Sequence, residues 1–367
     1  MNMKSMSKFV RAVAFAALAL AAVFPRLKPA DSGAAEPFLD LVPNVTRGLD
    51  LVYIPGAQSG AVLESAAPQE EVPPVSSDAE VEVWDGEKAL HMSLTDYIIG
   101  VTAAEMPVSF ELEALKAQAV AARTFTAKHL TGELRCRSGC TVCTSTACCQ
   151  AYVSVDDMRK NWGSNFDKYY ARIREAVLGT DGLVLTCGGE LVTALYHSSS
   201  GGRTENCEAV FAVALPYLVS VESEGEEEFP EYSTERSWTT AEFVKLINEK
   251  FPDAFMTDPE KDVQVWQRTE SGRITLIRLG GTVRTGQQLR IALRLRSTNA
   301  SFAFEDGRVT VTCLGYGHGV GMSQVGADAM AKRGAGFEEI LKHYYTGVEL
   351  TRLPDETSIW LAGQPPV

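Results

Sequence analysis

Residues 97–125 read YIIGVTAAEMPVSFELEALKAQAVAARTF. Two helices separated by a proline account for the pattern. Ser93 or Thr95 can cap the first, which runs through DYIIGVTAAEM and stops at Pro107, because a proline ring disfavours helical geometry in the residue before it. Ser109 suits the N-cap of the second, with Glu111 in its first turn near the positive end of the helix dipole. Along ELEALKAQAVAARTFTAKHL, Leu112, Leu115, Ala119, Ala122 and Thr126 form one stripe, and Ala117, Val120, Ala121 and Ala127 widen a small-residue face. Neighbours can approach such a helix closely, and the spacing predicts that it is central.

Outward from this pair, Val81, Val83 and Trp84 alternate as in a strand, and Phe166–Thr180 has helical spacing. LVLTCG (183–188) and ELVTALYHSSSGG (190–202) read as a pair of strands ending in a polar turn. The acidic stretch Glu222–Glu235 reads as a surface loop. From Val263 to Cys313 apolar and polar residues alternate between turns at SGR, GG, TGQQ and EDGR, so this segment is strand-rich. A helix over Ser323–Arg333 is followed by GFEEILKHYYTG, with Gly347 as C-cap. Helices and antiparallel strands mix without βαβ alternation, which predicts an α+β fold over residues 79–352: one large region around a central cleft, divisible into two subdomains.

The charge balance narrows the function. With 34 Lys+Arg against 47 Asp+Glu the formal net charge is −13, and no basic run interrupts it, which argues against a protein that grips nucleic-acid phosphates. At the N-terminus Lys4, Lys8 and Arg11 precede an uncharged run from Ala12 to Phe24, the pattern of an export segment. Residues 1–28 are therefore expected to carry the chain to, or anchor it in, the membrane. Residues 29–78, rich in Pro, Ala, Ser and Glu, read as a flexible linker, and 353–367 as a C-terminal tail.

Three sets of residues could carry chemistry. Glu105 lies in AAEMP among apolar neighbours, where desolvation disfavours the charged form and keeps a carboxyl protonated, as a general acid requires. The run GYGHGVGMSQ places a glycine at every second position from 315 to 321, leaving Tyr316 and His318 on a thin backbone followed by Gln324. It has neither the Lys-Ser/Thr of a phosphate loop nor the spacing of a dinucleotide site. YHSSSGG offers His197, Ser198 and Ser200 as hydrogen-bonding groups suited to sugar hydroxyls. No G-x-S-x-G supports a serine hydrolase, and H-E-x-x-H is absent. The third set is the cysteines, five of which crowd between 136 and 149.

Together YIIGVTAAEMPVSFELEALKAQAVAARTF, CTSTACCQAY, YHSSSGGRTE, LRSTNASF and GYGHGVGMSQVGADAMAKRGAGFEEILKHYYTG, in that order, resemble the stage II sporulation protein D family. The resemblance spans about Ser93 to Leu350. It implies a membrane-tethered lytic transglycosylase, with its catalytic region outside the cytoplasm, that cleaves peptidoglycan glycan strands during engulfment of the forespore. It implies that Glu105 is the single catalytic acid and base, that His197, Ser198, Ser200, Tyr316, His318 and Gln324 line the glycan site, and that the preferred strands have lost their stem peptides, which calls for a partner amidase beside other engulfment proteins at the membrane. A non-catalytic glycan-binding scaffold and a hydrolytic muramidase are the alternatives. Zinc-bearing members of the family resemble C-x-x-x-x-H-C-Q, whereas Cys143–Gln150 here puts Cys148 in the histidine slot. A structural zinc would then take Cys143, Cys148, Cys149 and Cys140, with Cys136 or His129 as the alternative fourth ligand, and disulfides compete with it. The chemistry itself needs no cofactor. Cys187, Cys207 and Cys313 read as core residues.

Overall fold

The computed structural model describes residues 79–353. The export segment, the linker and residues 354–367 of the expected tail lie outside the described residues. Among those described, no helix is long and apolar enough to cross a membrane.

The chain opens with an antiparallel hairpin, β1 (Glu80–Trp84) and β2 (Ala89–Ser93), whose Val81 and Val83 are fully buried. Ser93 then caps α1 (Leu94–Glu105), its Oγ accepting from the Asp96 N–H at 3.1 Å, which decides between the two capping candidates. The helix ends where expected because Met106, preceding Pro107, is extended at φ −119 and ψ 140. Helix α2 (Leu112–Leu130) begins later than expected: its N-cap is Glu111, not Ser109, and makes no side-chain capping bond. Asp328, remote in sequence, accepts from the Glu111 N–H at 2.7 Å and replaces the local cap. The expectation of a central helix holds, since Ala117, Ala119, Val120, Ala121 and Ala122 are fully buried.

After the two-residue β3 (Val142–Cys143), which pairs in parallel with β1, come α3 (Val155–Trp162) and α4 (Phe166–Leu178). The buried Arg123 of α2 donates to the carbonyls of Val177, Thr180 and Leu183, placing a cation at the negative end of α4. The expected strand pair is realised as β4 (Leu183–Cys187) with short β5 (Glu190–Leu191) and β6 (Tyr196–His197). A single helical turn, α5 (Cys207–Phe211), follows.

The acidic stretch Glu222–Glu235 is not simply a surface loop. Glu226 is fully buried because four donors offset its desolvation: the hydroxyls of Ser199, Ser200 and Ser223 and the Gly201 N–H, at 2.6–2.9 Å. The stretch ends in β7 (Ser233–Thr239), which leads into α6 (Thr240–Lys250), α7 (Pro259–Asp262), β8 (Val263–Arg268), β9 (Ile274–Leu279) and β10 (Thr282–Thr285). The TGQQ segment is a helix start rather than a turn, since Thr285 and Gln288 form a capping box opening α8 (Gly286–Leu293). Strands β11 (Ala300–Glu305) and β12 (Arg308–Leu314) complete two antiparallel sheets, ordered β10-β9-β8 and β11-β12-β7. They enclose a second core around Phe243, Ile247, Ile277, Leu289 and Val311, separate from the one around α2.

The chain then returns to the first core through β13 (Met322–Ser323), α9 (Gln324–Lys332) and α10 (Phe337–Tyr344), and β14 (Glu349–Arg352) pairs antiparallel with β4. Tyr345, not Gly347, caps α10; Gly347, at φ +68, turns the chain two residues later. The whole is a mixed α+β fold.

Candidate active site

Glu105 is the last residue of α1, where the negative helix end and burial act in the same direction on a carboxyl. The Ala151 N–H donates to its Oε1 at 2.7 Å, and the side chains of Gln324 and Tyr196 also hydrogen-bond to it. Burial pushes the carboxyl up from 4.5 to about 7 against these three hydrogen bonds. The partners are themselves fixed. The Tyr196 hydroxyl proton goes to Gln150 Oε1 at 2.8 Å, Gln150 Nε2 donates to Thr126 Oγ1 at 3.1 Å, and Gln324 Nε2 to Gln118 Oε1 at 3.3 Å. Burial also pushes the Tyr97 and Tyr196 hydroxyls well above their ordinary value, so both stay neutral. The result is one protonatable carboxyl in a shell of neutral hydrogen-bonding groups.

The glycine-rich segment lies directly on the serine-rich one. Ser199 and Tyr316 exchange backbone hydrogen bonds at 3.0 and 2.8 Å, and β13 pairs in parallel with β6. Only glycine fits at 321, where φ is +75 and an added Cβ would lie 2.0 Å from the Leu195 carbonyl oxygen. Among the residues expected from sequence, Gln324 reaches Glu105. His197 and His318 come together with ring centres 5.6 Å apart, but in the interior. His197 Nδ1 lies 3.1 Å from the Val320 carbonyl oxygen, and His318 Nδ1 accepts from the Val320 N–H. Burial drives His197 down to about 3 and His318 well below its ordinary value, so both rings are neutral. Ser200 turns inward to Glu226, while Ser198 and Tyr316 remain half-buried. Tyr196, Gln150 and Gln118 were not singled out from sequence, although the first two lie inside YHSSSGG and CTSTACCQAY.

The sulfurs of Cys136, Cys143, Cys148 and Cys149 all lie within 4.8 Å of one another. Cys136 takes the place expected for Cys140: a turn with Gly139 at φ +87 folds Cys136 back to 3.6 Å from Cys148, and Cys140 stays outside. His129 is also outside the group, its ring held neutral by burial, which lowers it to about 4. No disulfide joins any of the eight cysteines, all of which lie among the described residues; Cys207 and Cys313 are buried and Cys187 half-buried.

Among the described residues, fold and site thus define an α+β protein with one carboxyl raised by burial and a separate thiol cluster. The family model described as Stage II sporulation protein matches residues 85–187, which include both. The chain is 36% identical to Stage II sporulation protein D of Bacillus amyloliquefaciens over 274 residues, covering 74% of this chain and 78% of that one. It is 35% identical to Stage II sporulation protein D of Bacillus subtilis (strain 168), covering 71% and 75%. An amidase enhancer from the same strain is 30% identical over 69% of this chain and 40% of its own length. The chain belongs to the stage II sporulation protein D family.

Proposed function

We propose that this protein is a lytic transglycosylase that cleaves peptidoglycan glycan strands during forespore engulfment, with Glu105 as its only acid and base. The observation that carries this is the Glu105 carboxyl, raised to about 7 among neutral partners. Ordinary glycosidases commonly pair two carboxyl groups, one to protonate the leaving oxygen and one to attack or to activate water. A muramoyl residue brings its own nucleophile. Protonated Glu105 gives its proton to the glycosidic oxygen as the C1–O bond breaks, and the resulting carboxylate accepts the C6 hydroxyl proton as that oxygen bonds to C1. The product is a 1,6-anhydro end, no water is consumed, and Glu105 ends protonated as it began.

The N-terminal segment tethers the catalytic region outside the cytoplasm, and an amidase supplies strands without stem peptides; similarity to an amidase enhancer supports a place beside such an enzyme. The four clustered thiols would hold a structural zinc. A Zn–S bond of about 2.3 Å in a tetrahedron sets sulfurs ~3.8 Å apart, which the 3.6 and 3.8 Å separations at Cys148 fit. With four thiolates a zinc ion keeps no open position, so its contribution is to the fold.

Digestion of peptide-free glycan followed by mass analysis tests the reading. Anhydro-muramoyl products from the wild type and none from Glu105→Gln are expected. Products heavier by one water would mean hydrolysis, and binding without any product would mean a scaffold.

A further inference from the structure

Beside the half-buried Tyr316, a cavity of about 510 Å³ opens in the second-core region, lined by Arg236, Arg294, Arg296 and Glu235. Two of the arginines are held in place. Arg236 Nη1 donates to the carbonyls of Leu293 and Arg294 at 2.8 and 3.0 Å, and Arg296 lies over the Tyr316 ring, 4.7 Å from its centre, while pairing with Glu231. Arg294, the exposed C-cap of α8, takes φ +52 in the left-handed turn that ends the helix, with the Leu295 N–H returning to the Arg290 carbonyl at 2.9 Å. Counting Glu231 and Glu235, the wall carries one positive charge in excess, on a chain whose net charge is −13.

This wall is tied to the Glu105 region through the backbone, and Gly317, next to Tyr316, packs against His197. Tyr316 is laddered to Ser199, and Ser199 is three residues from Tyr196, which hydrogen-bonds Glu105. At about 3.3 Å per residue the backbones at Tyr196 and Tyr316 are on the order of 10–15 Å apart, a span within one short glycan strand.

We propose that Arg294 and Arg296 form a subsite for the lactyl carboxylate of muramic acid, and that this subsite selects strands without stem peptides. The inference rests on the glycan reading above. In an intact strand that carboxyl is tied up as an amide; removing the peptide frees one carboxylate per muramic acid. An acidic protein repels such a polyanion in general, so it needs a local cation, and the planar guanidinium fork matches a carboxylate.

Binding is measured on full-length Glu105→Gln, which cannot turn over, with peptide-free glycan of defined length and with the same glycan after its carboxyls have been converted to primary amides. The free-carboxylate strand should bind about tenfold tighter, by about 1.4 kcal/mol, and less so as salt rises. Adding Arg294→Gln and Arg296→Gln should abolish that preference, so that both strands bind with one affinity, while a urea unfolding transition like that of the parent shows that the variant is folded. Arg294→Gln alone, at an exposed side chain, should remove part of the preference. Equal affinity for the two strands, no binding of either, a preference that survives in the double variant, or equal competition by polyglutamate would overturn the subsite. Because these arms need no turnover, the two readings fail separately: anhydro product without the preference removes only the subsite, and the preference without product removes only the transglycosylase.

Discussion

Replacing Glu105 by glutamine should make the protein's stability less dependent on pH. The side chain keeps its shape and an oxygen to accept from Ala151, but it loses its titration. In the unfolded chain the carboxyl ionises near 4.5, and in the folded one near 7. Below 4.5 both states hold the proton and there is no penalty; as pH rises the unfolded state loses its proton first, so folding stability falls until the folded group ionises near 7 and then levels off. At about 1.4 kcal/mol per pH unit the gap sets an upper bound of ~3 kcal/mol, and partial exposure of the residue brings the expected value to ~1–3 kcal/mol. Urea unfolding of both full-length proteins between pH 4 and pH 8 measures this directly, since the other carboxyl groups titrate alike in both and cancel in the difference. Glu105→Gln should gain ~1–3 kcal/mol on the wild type between the two ends of that range. A difference that stays flat, or one that grows toward acid pH, would show that the carboxyl is solvated and would remove the physical basis for its role as an acid.

Two further outcomes follow from the structure. Purified protein analysed for metal should carry about one zinc per chain; Cys136→Ser should lose it and Cys140→Ser should keep it, whereas the reverse would restore the ligand set preferred from spacing. Gly326→Ala should cost ~2–4 kcal/mol in denaturant unfolding, because the new Cβ would lie 2.0 Å from the Tyr344 hydroxyl and 2.1 Å from Ser223 Oγ, in the network that satisfies buried Glu226. Wild-type stability in that variant would mean that α9 shifts without strain.

What the sequence disclosed depended on how local the cause was. The Pro107 stop, the Ser93 cap and the small-residue face of α2 are set by neighbours within a few residues, and all are present. The start of α2 was misplaced because Asp328, more than two hundred residues away, supplies what Ser109 was expected to supply. Glu226 looked solvated in an acidic run because its partners Ser199, Ser200 and Gly201 come from another segment. The choice of Cys136 over Cys140 turned on a backbone reversal at Gly139 that spacing alone does not encode. The apolar setting of Glu105 was legible from AAEMP, but Tyr196 and Gln150, which shape its hydrogen bonding, reach it only through the tertiary fold.

The thiol cluster and the acid are joined by two short routes. Cys148 and Cys149 lead directly into Gln150 and Ala151, whose side-chain amide and backbone N–H engage Tyr196 and Glu105. Cys143 lies in β3 against Trp84 of β1, and β1 runs through β2 into α1, at whose end Glu105 stands. A zinc ion held by the cluster, as proposed above, would fix both the donor and the helix that carries the acceptor. A carboxyl keeps a raised pKa only while water is kept from it and its donors cannot move in to satisfy it fully. Ala151 stands at 2.7 Å and supplies one backbone donor to Oε1. Were the 148–151 segment free to settle further around the carboxyl, additional N–H groups and solvent would stabilise the anion and return the group toward its ordinary range. The proposed zinc, two residues from the donor, would hold that arrangement without contributing any atom to the proposed reaction.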